Sequence, residues 1–329
     1  MITTEYLHDL QVRKKPITLA AGFFDGVHRG HQAVIDHAIH SAHAQNGEAW
    51  VMTFAPHPMK VLKPEIAPLM LTSLEHKLAL LEAQGVDGTI ILPFTRELAG
   101  TSPSDFANWL FHCAPSLTQV VVGENWRFGS RAAGTPELLA EYGSEAEVSV
   151  HTMAPILYGN SPISSTRIRT AIQSGDLEMA ASMLGRPPGI LGTVIPGRAI
   201  GRTLGFPSAN IDPHNEVLPP IGIYAVEARV GNTFYAGAFS YGRRPTFDGA
   251  HSDSPPVLEL HLIDFEGDLY GRNVEMFLLK RIRDEWHFDS TDALVLQIAK
   301  DVEQTRAIIA AYGLPPEHKA FLRNGTRHL

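Results

Sequence analysis

The chain has one cysteine, Cys113. A single thiol excludes an internal disulfide and a thiolate metal cluster, agrees with a reducing compartment, and leaves buried filler as its expected role. Long apolar runs are also missing: none approaches the roughly 20 residues that a membrane-spanning helix needs. The opening "MITTEYLHDLQVRKK" has no apolar segment behind its basic cluster, which argues against a secretory signal. The cytoplasm is the expected location, with no membrane association. Positive charge is in deficit, with 27 Lys and Arg against 35 Asp and Glu and a net charge of −8. General nucleic-acid binding relies on a basic surface to displace counterions, so no nucleic-acid partner is expected and any anionic substrate must be held locally. There is no G-x-x-x-x-G-K-[ST], which excludes a P-loop, and no internal repeat or low-complexity segment.

What is present points to two domains. A length of 329 residues exceeds what one core usually supports. In the first half "ITLAA", "EAWVMTF", "GTIILPF", "TQVVVGE" and "EVSVHTM" read as strands, separated by stretches long enough for crossover helices. This is a parallel α/β pattern. Thr72 with Glu75 predicts a capping box before "HKLALLEAQ", and Ser102 with Pro103 and Asp105 predicts the start of "FANWLFH". After "SSTRIRTAIQSGDLEMAASMLGR" the texture turns rich in Gly and Pro, which places a boundary near Arg186, between domains at 1–185 and 186–329. Beyond it "GIYAVEARV", "TFYAGAFSYG", "VLELHLIDF" and "NVEMFLLKRIR" predict an antiparallel barrel, and helical pattern returns only at Ser290 to Tyr312.

The stretch "GFFDGVHRGH", Gly22 to His31, follows the first strand directly. A strand feeding through Gly22, Gly26 and Gly30 into a helix from about His31 sets backbone N–H groups and a helix N-terminus against an anion. Imidazoles at His28 and His31 can then both donate to one phosphoryl group as charge builds up during displacement, and Asp25 can fix the turn. Metal binding or plain surface is the alternative. On the helix that follows, Val34, Ile35, Ala38, Ile39 and Ala42 form the apolar stripe. His37, His40 and His43 fall mostly off it and read as solvated, because no carboxylate or thiolate cluster joins them at ligand spacing.

Two more stretches suit nucleotide chemistry. "VVVGENWRFGSRAAG" follows a strand and offers Asn125, Trp126, Arg127 and Phe128 in a glycine-bounded turn, although composition alone equally allows a surface loop. "PISSTRIR" puts Ser164, Ser165 and Thr166 at a helix start with Arg167 and Arg169 following. Hydroxyls, free amides and guanidinium groups can converge there on phosphates, or Ser-Ser-Thr can simply cap the helix.

The pattern G-x-F-D-G-x-H-x-G-H resembles the HxGH nucleotidyltransferases, and the order of all three motifs resembles the bacterial bifunctional riboflavin kinase/FAD synthetases over nearly the whole chain. The resemblance implies a Rossmann-like adenylyltransferase domain followed by an antiparallel riboflavin kinase barrel with a terminal helix. Gly22, Phe24, Asp25, Gly26, Asn125, Arg127, Ser164, Ser165, Thr166, Arg167 and Arg169 are the positions it implies for nucleotide and phosphate binding. "GRAIGRTLGFPSAN" resembles the family's kinase signature, so Gly197, Gly201, Arg202, Gly205 and Pro207 are expected around phosphates, with Ser208 and Asn210 as oxygen donors to Mg²⁺.

In "PPVLELHLIDFEGDLYGR", Leu258, Leu260 and Leu262 face one side and Glu259 and His261 the other. By resemblance Glu259 takes the proton of the riboflavin 5′-hydroxyl; by pattern alone it is a solvated outward residue. "GRRPTF", Gly242 to Phe247, also looks family-like, and Arg283 and Glu285 match positions that close over flavin and nucleotide. The chain departs from the family's usual residues at Ser208, Ser240 and Pro188. The implied substrates and products are ATP, riboflavin, FMN and FAD, with no obligatory protein partner. An HxGH enzyme acting on another phosphorylated alcohol, or a flavin-binding regulatory relative, stays open at this point.

Overall fold

The computed structural model describes residues 1–197, 200–243 and 256–325. Arg198 and Ala199, and residues 244–247 of "GRRPTF", lie outside the described residues. The chain forms two compact units, one of residues 1–69 and 77–164, the other of residues 70–76 and 165–329.

In the first unit a six-stranded sheet has the order β1-β4-β3-β2-β5-β6, every neighbouring pair parallel. Its strands are β1 Ile2–Thr4, β2 Ile17–Ala21, β3 Glu48–Ala55, β4 Gly88–Pro93, β5 Leu117–Gly123 and β6 Ser149–Met153. β2 is buried at every position, which is why it reads as an unbroken apolar run rather than an alternating one. Leu19, Trp50, Met52, Ile90 and Val120 make the core of this unit. β1 is too short to carry a pattern and was not anticipated. A ribbon of β7 Leu157–Tyr158 and β8 Ser161–Pro162 follows the sheet.

The crossovers hold α1 Arg29–Ala44, α2 Pro58–Leu62, α3 Leu74–Gln84, α4 Arg96–Gly100, α5 Pro103–Cys113 and α6 Pro136–Glu145. α1 buries Val34, Ile35, Ala38 and Ala42, four of the five positions of its predicted stripe. Ser102 caps α5 by accepting from Asp105 N at 3.1 Å. For α3 the capping residue is Ser73, which accepts from His76 N at 3.2 Å, not Thr72. The helix starts one residue later than the capping-box spacing implied, so Glu75 does not fall on the third helical position that a box requires.

The second unit opens with α7 Ser165–Ser174 and α8 Leu177–Leu184. Leu177 of α8 joins the barrel core with Tyr224, Phe239, Leu260 and Met276, so packing groups these two helices with the barrel, whereas the change of texture in the sequence places the boundary after them, near Arg186. Six antiparallel strands close the barrel in the order β10-β13-β12-β11-β14-β9. They are β9 Gly189–Ile195, β10 Ala209–Pro213, β11 Gly222–Val230, β12 Thr233–Gly242, β13 Val257–Leu262 and β14 Asn273–Arg283. Closure leaves no free sheet edge. β11, β12 and β14 coincide with the predicted runs. β9 and β10 lie in the Gly- and Pro-rich stretch, where those residues dilute the alternation that marks a strand.

The short α9 Ile200–Thr203 sits between β9 and β10. α10 Thr291–Tyr312 is capped by Ser290, and α11 Pro316–Asn324, which the sequence reading lacks, follows it. Segment 70–76 belongs to this unit through polar ties. Met70 N donates to Glu216 Oε2 at 2.8 Å, Asn215 Nδ2 donates to Leu71 O, and the buried His76 meets Glu275 of β14.

Candidate active sites

In the first unit the strand order reverses between β2 and β5, with β3 and β4 on one side and β6 on the other. Open parallel sheets bind ligands outside the carboxyl ends of the strands at such a switch point. The turns that follow β2 and β5 are the "GFFDGVHRGH" turn and the Asn125–Arg127 turn, so the topology itself brings two of the predicted motifs together.

The turn after β2 is strained. Phe24 has φ 56°, Gly26 φ 80° and Val27 φ 39°. For a β-branched residue such as Val27 the left-handed region costs on the order of 1–3 kcal/mol, and such strain persists only where the surroundings over-determine it. Phe24, Asp25 and Val27 are buried. Gly22 N donates to Met52 O at 3.0 Å, which anchors the turn's start to β3.

His28 then caps α1, its Nδ1 accepting from His31 N at 3.3 Å. An acceptor Nδ1 fixes the tautomer of neutral His28, with the proton on Nε2 as the outward donor. The rings of His28 and His31 stack with centroids 3.5 Å apart and planes 15° apart, and Phe24 meets His31 edge-on at 5.3 Å. Burial pushes the His31 pKa well down, reinforced by electrostatic interaction with His28 and Lys77, so this ring is neutral at pH 7. His31 Nδ1 is buried without a hydrogen-bond partner among the described residues.

In the turn after β5, Trp126 N donates to Gly123 O at 2.9 Å and Arg127 folds back onto the carbonyls of Glu124 and Trp126 at 3.1 and 2.7 Å. Asn125 is exposed. Phe128 is buried in the core, with Trp126 stacked on it at 4.9 Å, so the aromatic pair supports the turn from below. Ser164 ends the first unit, and Ser165, Thr166, Arg167 and Arg169 occupy the first turns of α7 in the second. Away from this edge, His40 and His43 are exposed as expected, whereas His37 is half-buried and stacks on His151 at 3.9 Å.

On the barrel, Asn210, Glu259 and Ser240 are direct partners on β10, β13 and β12, and so form one row on the face opposite the core residues Leu258 and Leu260. Ser208 Oγ donates to Glu259 Oε2 across 3.5 Å. The glycine-rich loop curls over this row. Phe206 N donates to Gly201 O at 2.8 Å, and His261 Nδ1 lies 2.8 Å from Pro207 O. A Cβ on Gly201 would stand 2.4 Å from Phe206 O, and one on Gly197 1.8 Å from Asn210 Nδ2, so both positions require glycine for close approach. Arg202, Gly205 and Pro207 are exposed along the same loop. Arg283 is committed to α10, with Nη2 2.7 Å and Nε 3.1 Å from the carboxylate of buried Asp301, and Trp286 lies over it at 4.8 Å. Glu285 is exposed, its carboxylate lying where a Cβ on Gly242 would be.

Residues 10–167 match the family model described as FAD synthetase, and residues 184–309 the model described as Riboflavin kinase. A bifunctional riboflavin kinase/FMN adenylyltransferase of Escherichia coli strain K12 is 36% identical over 297 residues, covering 90% of this chain and 94% of that protein. The chain belongs to the bifunctional riboflavin kinase/FMN adenylyltransferase family. A protein of the same name from Bacillus subtilis strain 168 is 34% identical over 299 residues, again 90% and 94% of the two chains. A solved structure titled as a macrolide-efflux protein from Streptococcus pneumoniae is similar with a TM-score of 0.79 at 31% identity, covering 93% of this chain and 99% of that one. Among the described residues no helix is long and apolar enough to cross a membrane.

For a bifunctional riboflavin kinase/FMN adenylyltransferase the donor set on the barrel is apt. Ser208, Asn210 and Glu259 supply hard oxygen atoms of the kind a magnesium ion takes alongside phosphates and water. No group of three or more His, Cys, Asp or Glu forms a metal cage among the described residues.

The sequence reading overlooked Lys77. Its side chain is 4% exposed, and Nζ donates to Phe23 O at 3.1 Å and Thr53 Oγ1 at 3.0 Å, directly beneath the histidine turn. Burial lowers its pKa to about 8, with Asp25 opposing the shift. The one signal in the sequence was a lysine three and four residues before Leu80 and Leu81 in "HKLALL", on the side of the helix that those apolar residues occupy.

Proposed function

We propose that this chain carries out both reactions in its relatives' names, with residues 186–329 phosphorylating riboflavin to FMN and residues 1–185 joining FMN to AMP. The carrying observation is the stacked His28–His31 pair at the amino end of α1, His28 buried and His31 half-buried, set at the switch point of a parallel sheet. It is supported by the barrel row of Asn210, Glu259 and Ser240.

In the kinase reaction the riboflavin 5′-oxygen bonds to the γ-phosphorus of ATP, the bond to the β-phosphate oxygen breaks and ADP leaves. Glu259 accepts the hydroxyl proton. Ser208 and Asn210 would hold Mg²⁺, which when bound would offset the charge of the phosphates. Gly197, Gly201 and Gly205 let the backbone approach those phosphates, Arg202 and Pro207 flank them, and Arg283 and Glu285 border the flavin and nucleotide.

In the adenylyl transfer a phosphate oxygen of FMN attacks the α-phosphorus of ATP and pyrophosphate departs, with no covalent enzyme intermediate. His28 and His31 donate to the oxygens on which charge develops, a role typically worth 10²–10³ in rate per donor. Gly22, Phe24, Asp25 and Gly26 shape the turn, Asn125 and Arg127 line the nucleotide, and Ser164, Ser165, Thr166, Arg167 and Arg169 retain the pyrophosphate. The substrates are small molecules. The single cysteine and acidic balance support a cytoplasmic enzyme without nucleic-acid partners.

The test is chromatography of riboflavin, Mg²⁺ and ATP incubated with pure protein. Successive appearance of FMN and FAD is the expected result, and flavin left unconverted overturns the reading.

A further inference from the structure

α3 has no need of a charge at position 77. Leu78, Ala79, Leu80 and Leu81 beside it are buried and apolar. The ammonium is desolvated there, which is unfavourable unless it meets a specific partner. What it meets is the turn. Nζ and Thr53 Oγ1 both donate to Phe23 O, at 3.1 and 2.9 Å, and Phe23 immediately precedes the left-handed Phe24. The ammonium also lies 4.4 Å from the centroid of the Phe23 ring.

We propose that Lys77 is a positioning residue for adenylyl transfer: with Thr53 it clamps the Phe23 carbonyl and so locks the strained turn that presents His28 and His31 to a phosphate. The inference rests on the adenylyltransferase reading of that turn. The charged and titratable groups around the ammonium are Asp25 from the turn, which favours its charged form, and His31 from α1 with His28 stacked on it. β3 contributes only the Thr53 hydroxyl. Because burial brings Lys77 to about 8, the ammonium loses its charge as pH rises through that value. The clamp loosens, and adenylyl transfer gains an alkaline limb that riboflavin phosphorylation lacks.

The experiment compares full-length wild type, Lys77→Met and Lys77→Arg, following FMN plus ATP to FAD from about pH 6.5 to 9.5, with riboflavin phosphorylation by the same preparations as the fold control. Lys77→Met is expected to lose at least about tenfold in kcat with KM little changed, as misplaced catalytic groups do. Its kinase rate stays at the wild-type value. Lys77→Arg, whose charge persists at high pH, recovers part of kcat and moves the alkaline limb upward. Wild-type kcat in a folded Lys77→Met, or an Arg variant no better than Met or with the limb unmoved, overturns the proposal. Should both variants lose the kinase reaction as well, the wild type decides: a limb near pH 8 specific to adenylyl transfer supports the clamp, and a flat profile overturns it. A wild type that makes no FAD at all is a failure of the adenylyltransferase reading and is distinguishable from either result.

Discussion

His76 Nε2 lies 2.8 Å from Glu275 Oε1, both side chains 2% exposed, while Arg229 Nη2 holds the other oxygen of the same carboxylate at 2.7 Å. Burial alone would raise the Glu275 pKa, but Arg229 and His76 together hold it below the usual value. A depressed folded pKa gives stability that is present above the unfolded value and lost as pH falls through the folded one. Glu275→Gln should therefore destabilise the protein at neutral pH by about 3–5 kcal/mol, the usual cost of breaking a buried ion pair. The deficit should shrink in acid, as pH falls through the lowered Glu275 value and the wild type loses the same charge. Denaturant unfolding of both proteins across pH checks this.

His28→Ala should abolish FAD formation and leave FMN formation from riboflavin intact. His31→Ala should lower FAD formation by about 10²–10³. Steady-state rates of both reactions in one preparation make the comparison, and equal loss of both products in a folded variant would refute independent sites.

Burial keeps the His31 ring uncharged. In an NMR titration its ring protons should show no midpoint near the ordinary histidine value of about 6.5. A His31 midpoint at the ordinary value would mean that the ring is solvated.

Glu259→Gln should lower riboflavin phosphorylation by about 10²–10⁴, the range for losing a general base, with adenylation of supplied FMN unchanged. An undiminished kinase rate would remove Glu259 from proton transfer.

Gly201→Ala should damage the kinase alone. Its Cβ would press on a backbone oxygen, Phe206 O at 2.4 Å, and on Ser208 Oγ at 2.9 Å, so the loop must shift. Displacement of this order costs about 10²-fold in rate, read as kcat/KM for ATP in riboflavin phosphorylation. A normal value would show that the loop is not held closely against its substrate.

Much of this molecule was legible along the chain because strands and turns are local patterns. β2, β11, β12 and β14 fall on the apolar or alternating runs that predict them, and α10 begins at the serine that caps it. The histidine turn was legible as well, since its glycines and imidazoles are contiguous. β9 and β10 were not, because glycine and proline interrupt their alternation. Arg283 could be located but its bond to Asp301 could not, because nothing in either segment specifies the other.

Periodicity and turn chemistry, then, settled the two textures, the element types and the motifs, each encoded within a few residues. Only tertiary structure decided which distant positions meet. Lys77 grips a carbonyl 54 residues away and His76 a carboxylate 199 residues away. A buried polar side chain at a helical apolar position looks the same in sequence whether its partner exists or not, and that partner is supplied by sheet order and barrel closure.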